Sequence, residues 1–233
     1  MPQLNKPATA PGLVPDWILP PDNQDDLSYT IYAMYDDENL YIAVDVADDI
    51  LINDGPTEDP WFDDDAEIFI DGDCVGNDPP WSNGGKEGFQ LLMDVGGDAM
   101  AVAGNDNIDW ESAVGLRPRG YAVEFRIALS SIDIIDGAGE ASPGPGSSVG
   151  FNVTVGDDDN GGFPYDMVLM PDGEFAIDHV EPTDCYGAWD GRSSGWYAHR
   201  EDDWGLLYFA PKTEKAPMKH NAFSTIWGKI KDR

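Results

Sequence analysis

Residues 61–71 read WFDDDAEIFID, and their second half alternates. Ala66, Ile68 and Ile70 fall on one side of an extended chain, while Glu67, Phe69 and Asp71 fall on the other. A period of two with β-branched and aromatic residues predicts a half-buried antiparallel strand. The same pattern recurs outward from this stretch. NLYIAVDV aligns Leu40, Ile42, Val44 and Val46, GYAVEFRIA aligns Tyr121, Val123, Phe125 and Ile127, and VGFNVTV aligns Val149, Phe151, Val153 and Val155. LSYTIYAMY and NLYIAVDV flank Asp36, Asp37 and Glu38, a polar turn that predicts a hairpin. GFQLLMD, DAMAVA, WESAVGL and WGLLYF are further strand candidates, and a turn or two near LSSIDII is the one helical signal before the tail. Strands at this density, with no helices alternating between them, predict an all-β fold: an antiparallel two-sheet sandwich of jelly-roll or immunoglobulin-like kind.

The sandwich pattern runs from 27 to 209. Residues 1–26 carry six of the eighteen prolines and no periodicity, as an extended arm or linker would. Residues 210–233 hold six of the thirteen basic residues, and Phe223, Ile226, Trp227 and Ile230 are spaced to form a short amphipathic helix able to dock on a protein partner or on the acidic domain. The start, MPQLNKPATAPGLVPDWILPP, lacks a charged segment followed by an apolar one, so no signal peptide is visible. No apolar run reaches the roughly 18 residues of a membrane span.

Forty-five acidic against thirteen basic residues give a formal charge of −32, which repels phosphate backbones and anionic lipid headgroups alike. Such an excess also costs self-repulsion unless cations sit among the carboxylates, and Ca²⁺ prefers hard oxygen ligands of this kind. An acidic surface suited to salty surroundings accounts for the charge equally well. Asp48 and Asp49 in a turn, and Asp157, Asp158 and Asp159 in an oxygen-rich loop read from Gly156 to Pro164, are the calcium candidates. Asp63 to Asp65 shape a third acidic loop. Cys74 and Cys185 either pair across a long loop or remain as two thiols.

No catalytic constellation emerges. Three scattered histidines lack metal-ligand spacing, no Gly-rich phosphate loop follows a strand, and paired carboxylates carry no signal in so acidic a chain. The chain is read as a binding protein rather than an enzyme. Tryptophan is the residue to follow, because Trp61, Trp81, Trp189 and Trp196 sit among polar loop residues. An indole in a loop either lids the core or offers a platform on which the C–H face of a sugar ring packs, with hydroxyls bonded at the rim.

The blocks YDDENLYIAVDVADD, PWFDDDAEIFIDGD, GFQLLMD, RGYAVEFRIALSSI, VGFNVTVGDDD and WDGRSSGWYAHREDDWGLLYF, in that order, resemble carbohydrate-binding module family 9 over about residues 27–209. The resemblance implies a sandwich that holds a sugar between two tryptophans, often at the reducing end of a β-glucan or xylan chain, and that carries structural calcium. Carried over motif by motif, Trp61 is the first wall of the clamp and Glu67 the hydroxyl-binding carboxylate. Trp196, or Trp189, is the second wall, and Ser193 and Ser194 fall where the family uses an amide. Gln90 stands where the family has a sugar-binding arginine, so a bidentate charged donor is lost. Thr154 replaces an amide, and the 160–188 loop is longer. The resemblance further implies an extracellular or periplasmic module, accessory to polysaccharide degradation. Two other readings compete: a haem-binding electron-transfer subunit using Met93, Met100 and His179, and a structural or adhesive surface protein assembling through its basic tail.

Overall fold

The structure is a computed structural model and describes residues 24–55, 57, 59–72, 88–101, 108–135, 143–159, 166–169, 175–178, 185–188 and 204–211. For 133–135, 166–169, 175–178 and 185–188 it describes the backbone course. Twelve strands are present among these residues: β1 Leu27–Tyr35, β2 Asn39–Asp48, β3 Asp65–Asp71, β4 Phe89–Asp94, β5 Ala99–Ala101, β6 Trp110–Leu116, β7 Tyr121–Ala128, β8 Ser148–Asp157, β9 Asp166–Leu169, β10 Phe175–Asp178, β11 Cys185–Ala188 and β12 Gly205–Tyr208. A single helix, α1 Leu129–Ile135, follows β7.

The strands form two antiparallel sheets and a small separate hairpin of β9 and β10. The first sheet has the order β1-β2-β7-β6. The second runs β11-β8-β3-β4-β5, with β12 paired to the other half of β8. The predicted hairpin is present in full register from Leu27↔Asp48 to Tyr35↔Leu40. Its turn closes because the Asp36 carboxylate accepts the backbone N–H of Glu38 at 2.9 Å and of Asn39 at 2.8 Å, the local bond for which Asp is favoured in turns. The β6–β7 turn depends on Gly120, whose φ of +94° and position 2.2 Å from the Val46 carbonyl oxygen (measured from an added Cβ) leave no room for a side chain.

The alternating residues meet where the pattern placed them. Leu40, Ile42, Val44 and Val46 of β2 and Tyr121, Val123, Phe125 and Ile127 of β7 face Ala66, Ile68 and Ile70 of β3 and Val149, Phe151, Val153 and Val155 of β8 in one continuous core. Burial of each large apolar side chain contributes about 1.5–3 kcal/mol, so this interleaved layer is what holds the two sheets together. A polar tie crosses it: the Tyr121 hydroxyl on β7 donates to the Asp65 carbonyl on β3 at 2.8 Å. Tyr121→Phe is expected to cost about 1 kcal/mol, a fall of about 2–4 °C in the Tm of a domain this size. Thermal denaturation checks it, and an unchanged Tm would mean that the tie contributes nothing.

Three sequence expectations need correction. β3 is not half-buried: all seven of its residues are buried, on the outer face as well as the core face. Gly156 and Asp157 are not loop residues but the end of β8, because Asp65 Oδ1 accepts the Gly156 N–H at 2.8 Å and Cys185 pairs opposite Asp157. The 160–188 stretch is not a bare loop, since β9, β10 and β11 lie within it. Cys74 lies outside the described residues, so the state of the Cys74 and Cys185 thiols does too.

Candidate functional site

Two polar regions lie at β3 of the second sheet, one just before its first residue and one along its outer face. The first is a carboxylate node at its N-terminal end. Asp48, Asp64 and Asp157 form one triad of carboxylates within 4.8 Å of one another, Asp26, Asp49 and Asp159 a second, and Asp54, Asp63 and Asp158 a third. The consecutive residues 157, 158 and 159 each serve a different triad. Asp48 and Asp49 do likewise, as do Asp63 and Asp64. The five acidic residues expected to ligate calcium therefore converge, joined by Asp26, Asp54, Asp63 and Asp64. Asp26 and Asp54 carried no motif that marked them. The run of three aspartates at 63–65 did signal its neighbourhood.

Backbone donors fix the node. Asp63 Oδ1 accepts the N–H of Asp54 at 2.8 Å and of Gly55 at 2.7 Å, and Asp64 Oδ1 accepts the N–H of Asp158 at 2.9 Å. Asn53 reaches both Asp63 and Asp94 through its amide. Burial, followed by the charges of Asp159, Asp49 and Asp26, pushes the Asp48 carboxyl up to about 7. Burial, followed by the charges of Asp48 and Asp157, pushes Asp64 up to about 9. Asp48 is 2% exposed, yet its Oδ2 accepts no hydrogen bond. A buried acceptor lacking a donor, among hard oxygen ligands that repel one another, fits a divalent cation such as Ca²⁺.

Trp61 lies between the node and the outer face of the sheet. It occupies a 3-10 turn, Pro60–Phe62, closed by the Phe62 N–H on the Asp59 carbonyl, and this turn packs on β3 and β4. Its ring is partly exposed and meets Phe62 edge-on at 5.8 Å. Asp63 and Asp64 follow the turn directly, so the chain runs from it straight into the node.

The second region is the outer face itself. Register aligns Glu67 with Leu92 and Thr154, and Phe69 with Gln90 and Asn152. Glu67 takes the face that alternation gives it and is buried there, at 6% exposure. It is not an unpaired charge, for the Gln90 amide donates to its Oε2. Burial raises the Glu67 carboxyl to about 7, against the lowering effect of hydrogen bonds from Gln90 and Thr154. Asp65, two residues earlier on the same face, is held well above the ordinary range by burial and by the charge of Glu67. Asn152 was missed in the sequence although the alternation of VGFNVTV places it beside Thr154, because the apolar half of that pattern drew the reading. The arrangement is a buried row of donors and acceptors along the outer face, of the kind that sugar hydroxyls can pair with where the face is uncovered.

Trp189, Ser194 and Trp196 lie outside the described residues. Met93 is committed to the core between the sheets, and Met100 stands opposite Leu92 on β4, so these two do not form the iron-binding pair of the haem reading. His179 lies outside the described residues.

The chain is 29% identical over 133 residues to endo-1,4-beta-xylanase A of Thermotoga neapolitana, a match covering 54% of this chain and 11% of that enzyme. It is 27% identical over 146 residues to exoglucanase XynX of Acetivibrio thermocellus, covering 63% of this chain and 12% of the relative. The chain thus spans about a tenth of the length of these curated relatives. Among solved structures it is similar to a carbohydrate binding module family 9 from Caldicellulosiruptor kristjanssonii in complex with glucose, with a TM-score of 0.59, 19% identity, and coverage of 91% of this chain and 96% of that one. The same organism's module in complex with cellotriose gives a TM-score of 0.57 at 19% identity, covering 86% and 84%. At these identities the likeness is one of fold. The profile described as "Carbohydrate family 9 binding domain-like" matches residues 17–172, more than half of the sequence, and the chain belongs to that family.

Proposed function

We propose that the chain is a non-catalytic module that binds the end of a β-glucan or xylan chain on the outer face of its second sheet. The observation that carries this reading is the pairing of Glu67 with Gln90 in a row of polar side chains that includes Asn152 and Thr154, on strands against which the turn of the partly exposed Trp61 packs. A carboxylate held by an amide offers sugar hydroxyls both an acceptor and a donor, and an indole offers the ring a C–H stacking surface. Trp196 or Trp189 is the opposing wall and Ser194 a rim contact, on the strength of the family motif.

Gln90 sets the expected specificity. A neutral amide leaves the Glu67 charge uncompensated where a guanidinium would neutralise it, so recognition relies on hydroxyl geometry and stacking more than on a charge pair. The xylanase and exoglucanase relatives support a plant polysaccharide as ligand and an extracellular place of work. Asp48, Asp64 and Asp157, with the two neighbouring triads, hold calcium in this reading. The ion neutralises the node and steadies the turn that carries Trp61.

Titration with soluble cello- and xylo-oligosaccharides, followed by tryptophan fluorescence, tests the proposal. A saturable change with glucose or cellobiose is expected, and a flat response across the panel would overturn it.

A further inference from the structure

The sugar floor does not end at Asn152. β12 lies on the far side of β8, with Leu206 opposite Gly150 and Tyr208 opposite Ser148. Phe209 and Leu207 turn into the core, so Leu206 and Tyr208 project on the same outer face as Glu67 and Gln90. They are 61% and 57% exposed, among the most exposed large apolar side chains of the described residues. Trp204 joins the two regions: its ring lies 5.6 Å from that of Phe69, the neighbour of both Gln90 and Asn152 on the sheet.

We infer that Trp204, Leu206 and Tyr208 form a second glycan subsite, a track along β12 that carries the next rings of the same polysaccharide chain. This rests on the sugar-binding reading above. From Trp204 to Tyr208 the strand advances about 13 Å, longer than a single pyranose ring. Between them Gly150 keeps the row low. A Cβ there would stand 3.1 Å from the Asp71 Cβ, so a side chain at 150 would crowd Asp71. An aromatic ring beyond a side-chain-free step is the kind of surface on which an extended sugar chain lies.

Size and charge favour this occupant over a protein. A stable protein interface buries about 800 Å² on each partner, far more than two exposed side chains supply. A second copy of the chain would bring a further charge of −32 against this one. A neutral glycan meets neither obstacle.

Calorimetric titration of the full chain with glucose, cellobiose, cellotetraose and cellohexaose, all in calcium, tests the track. Affinity is expected to rise about tenfold from cellobiose to cellohexaose, the scale of one added aromatic contact. The double variant Leu206→Ser, Tyr208→Ala is expected to lose that rise while its affinity for cellobiose stays within about twofold. A wild-type affinity that levels off at cellobiose would overturn the track. So would a variant that weakens cellobiose and cellohexaose by the same factor, or one that keeps the rise. Wild-type dimers that disappear in the variant, seen by light scattering, would assign the surface to a second copy and overturn it as well. If no sugar of any length binds, the underlying sugar-binding reading fails and the track fails with it.

Discussion

Chelating divalent cations at pH 8 is expected to lower the Tm by about 5–10 °C for each saturated cation removed, and the fall should shrink as the pH is brought down toward 5. The size follows from linkage. A site filled at a hundred times its dissociation constant adds about 2.7 kcal/mol, and each kcal/mol moves the Tm of a domain this size by about 2–4 °C. The pH dependence follows from the raised carboxyls. Asp48 at about 7 and Asp64 at about 9 retain a proton in the folded chain that an unfolded aspartate releases near pH 4. Without a cation, their protonation therefore stabilises the fold fully below about pH 4, and this contribution is lost as pH rises through 7 and then 9. A cation requires the deprotonated carboxylates, so its stabilisation grows over the same interval. Melting curves in calcium and in chelator should nearly coincide at pH 5 and diverge at pH 8. Calorimetry at both pH values checks this, and a Tm indifferent to calcium at pH 8 would sink the cation reading. Asp64→Asn is expected to blunt the response to calcium and to lower the Tm in calcium, since it removes a carboxylate of its triad and leaves one oxygen where Oδ1 and Oδ2 accept the N–H groups of Asp158 and Ile52.

The second large effect concerns the sugar. Glu67→Ala is expected to weaken cellobiose binding by about ten- to hundredfold, the scale of hydrogen bonds to a charged group, and to leave the Gln90 amide without its acceptor. Trp61→Ala is expected to cost about thirtyfold or more, as truncation of a central aromatic anchor does, and Trp61→Phe should recover part of the loss. The Tm of each variant, measured in calcium, separates lost binding from lost folding. Folded variants that bind cellobiose as tightly as the wild type would remove both residues from the site.

The sandwich was legible because its code is local. Ile68 and Ile70 of β3 and Val153 and Val155 of β8 announce a buried face through spacing alone, and the Asp36 turn announces its hairpin. The node was only partly legible because its code is distant. Nothing near Asp26 or Asp54 in the sequence indicates that each will stand beside two aspartates from other segments. Gly156 and Asp157 look like the start of a loop until Asp65, 91 residues before Gly156, accepts that glycine's N–H. The depth of burial of Glu67 was not legible for a related reason. Alternation tells which face a residue takes, whereas how deeply that face is covered depends on neighbours such as Gln90 and Trp204, which only the assembled sheet brings together.

The three triads have a consequence for the order in which the chain can fold. Their nine carboxylates come from four separate stretches, around 26, 48–54, 63–64 and 157–159. None exists as a cluster until strands far apart in sequence have paired, a late and slow event in a β topology. Mutual repulsion makes that closing step harder still in a medium poor in divalent ions, and a cation arriving during closure removes the obstacle. The refolding rate, and not only the final stability, should therefore depend on calcium. On the proposed calcium reading, the chain completes its sheet most readily where calcium is plentiful, which would couple its maturation to its surroundings through the aspartates on either side of the Trp61 turn.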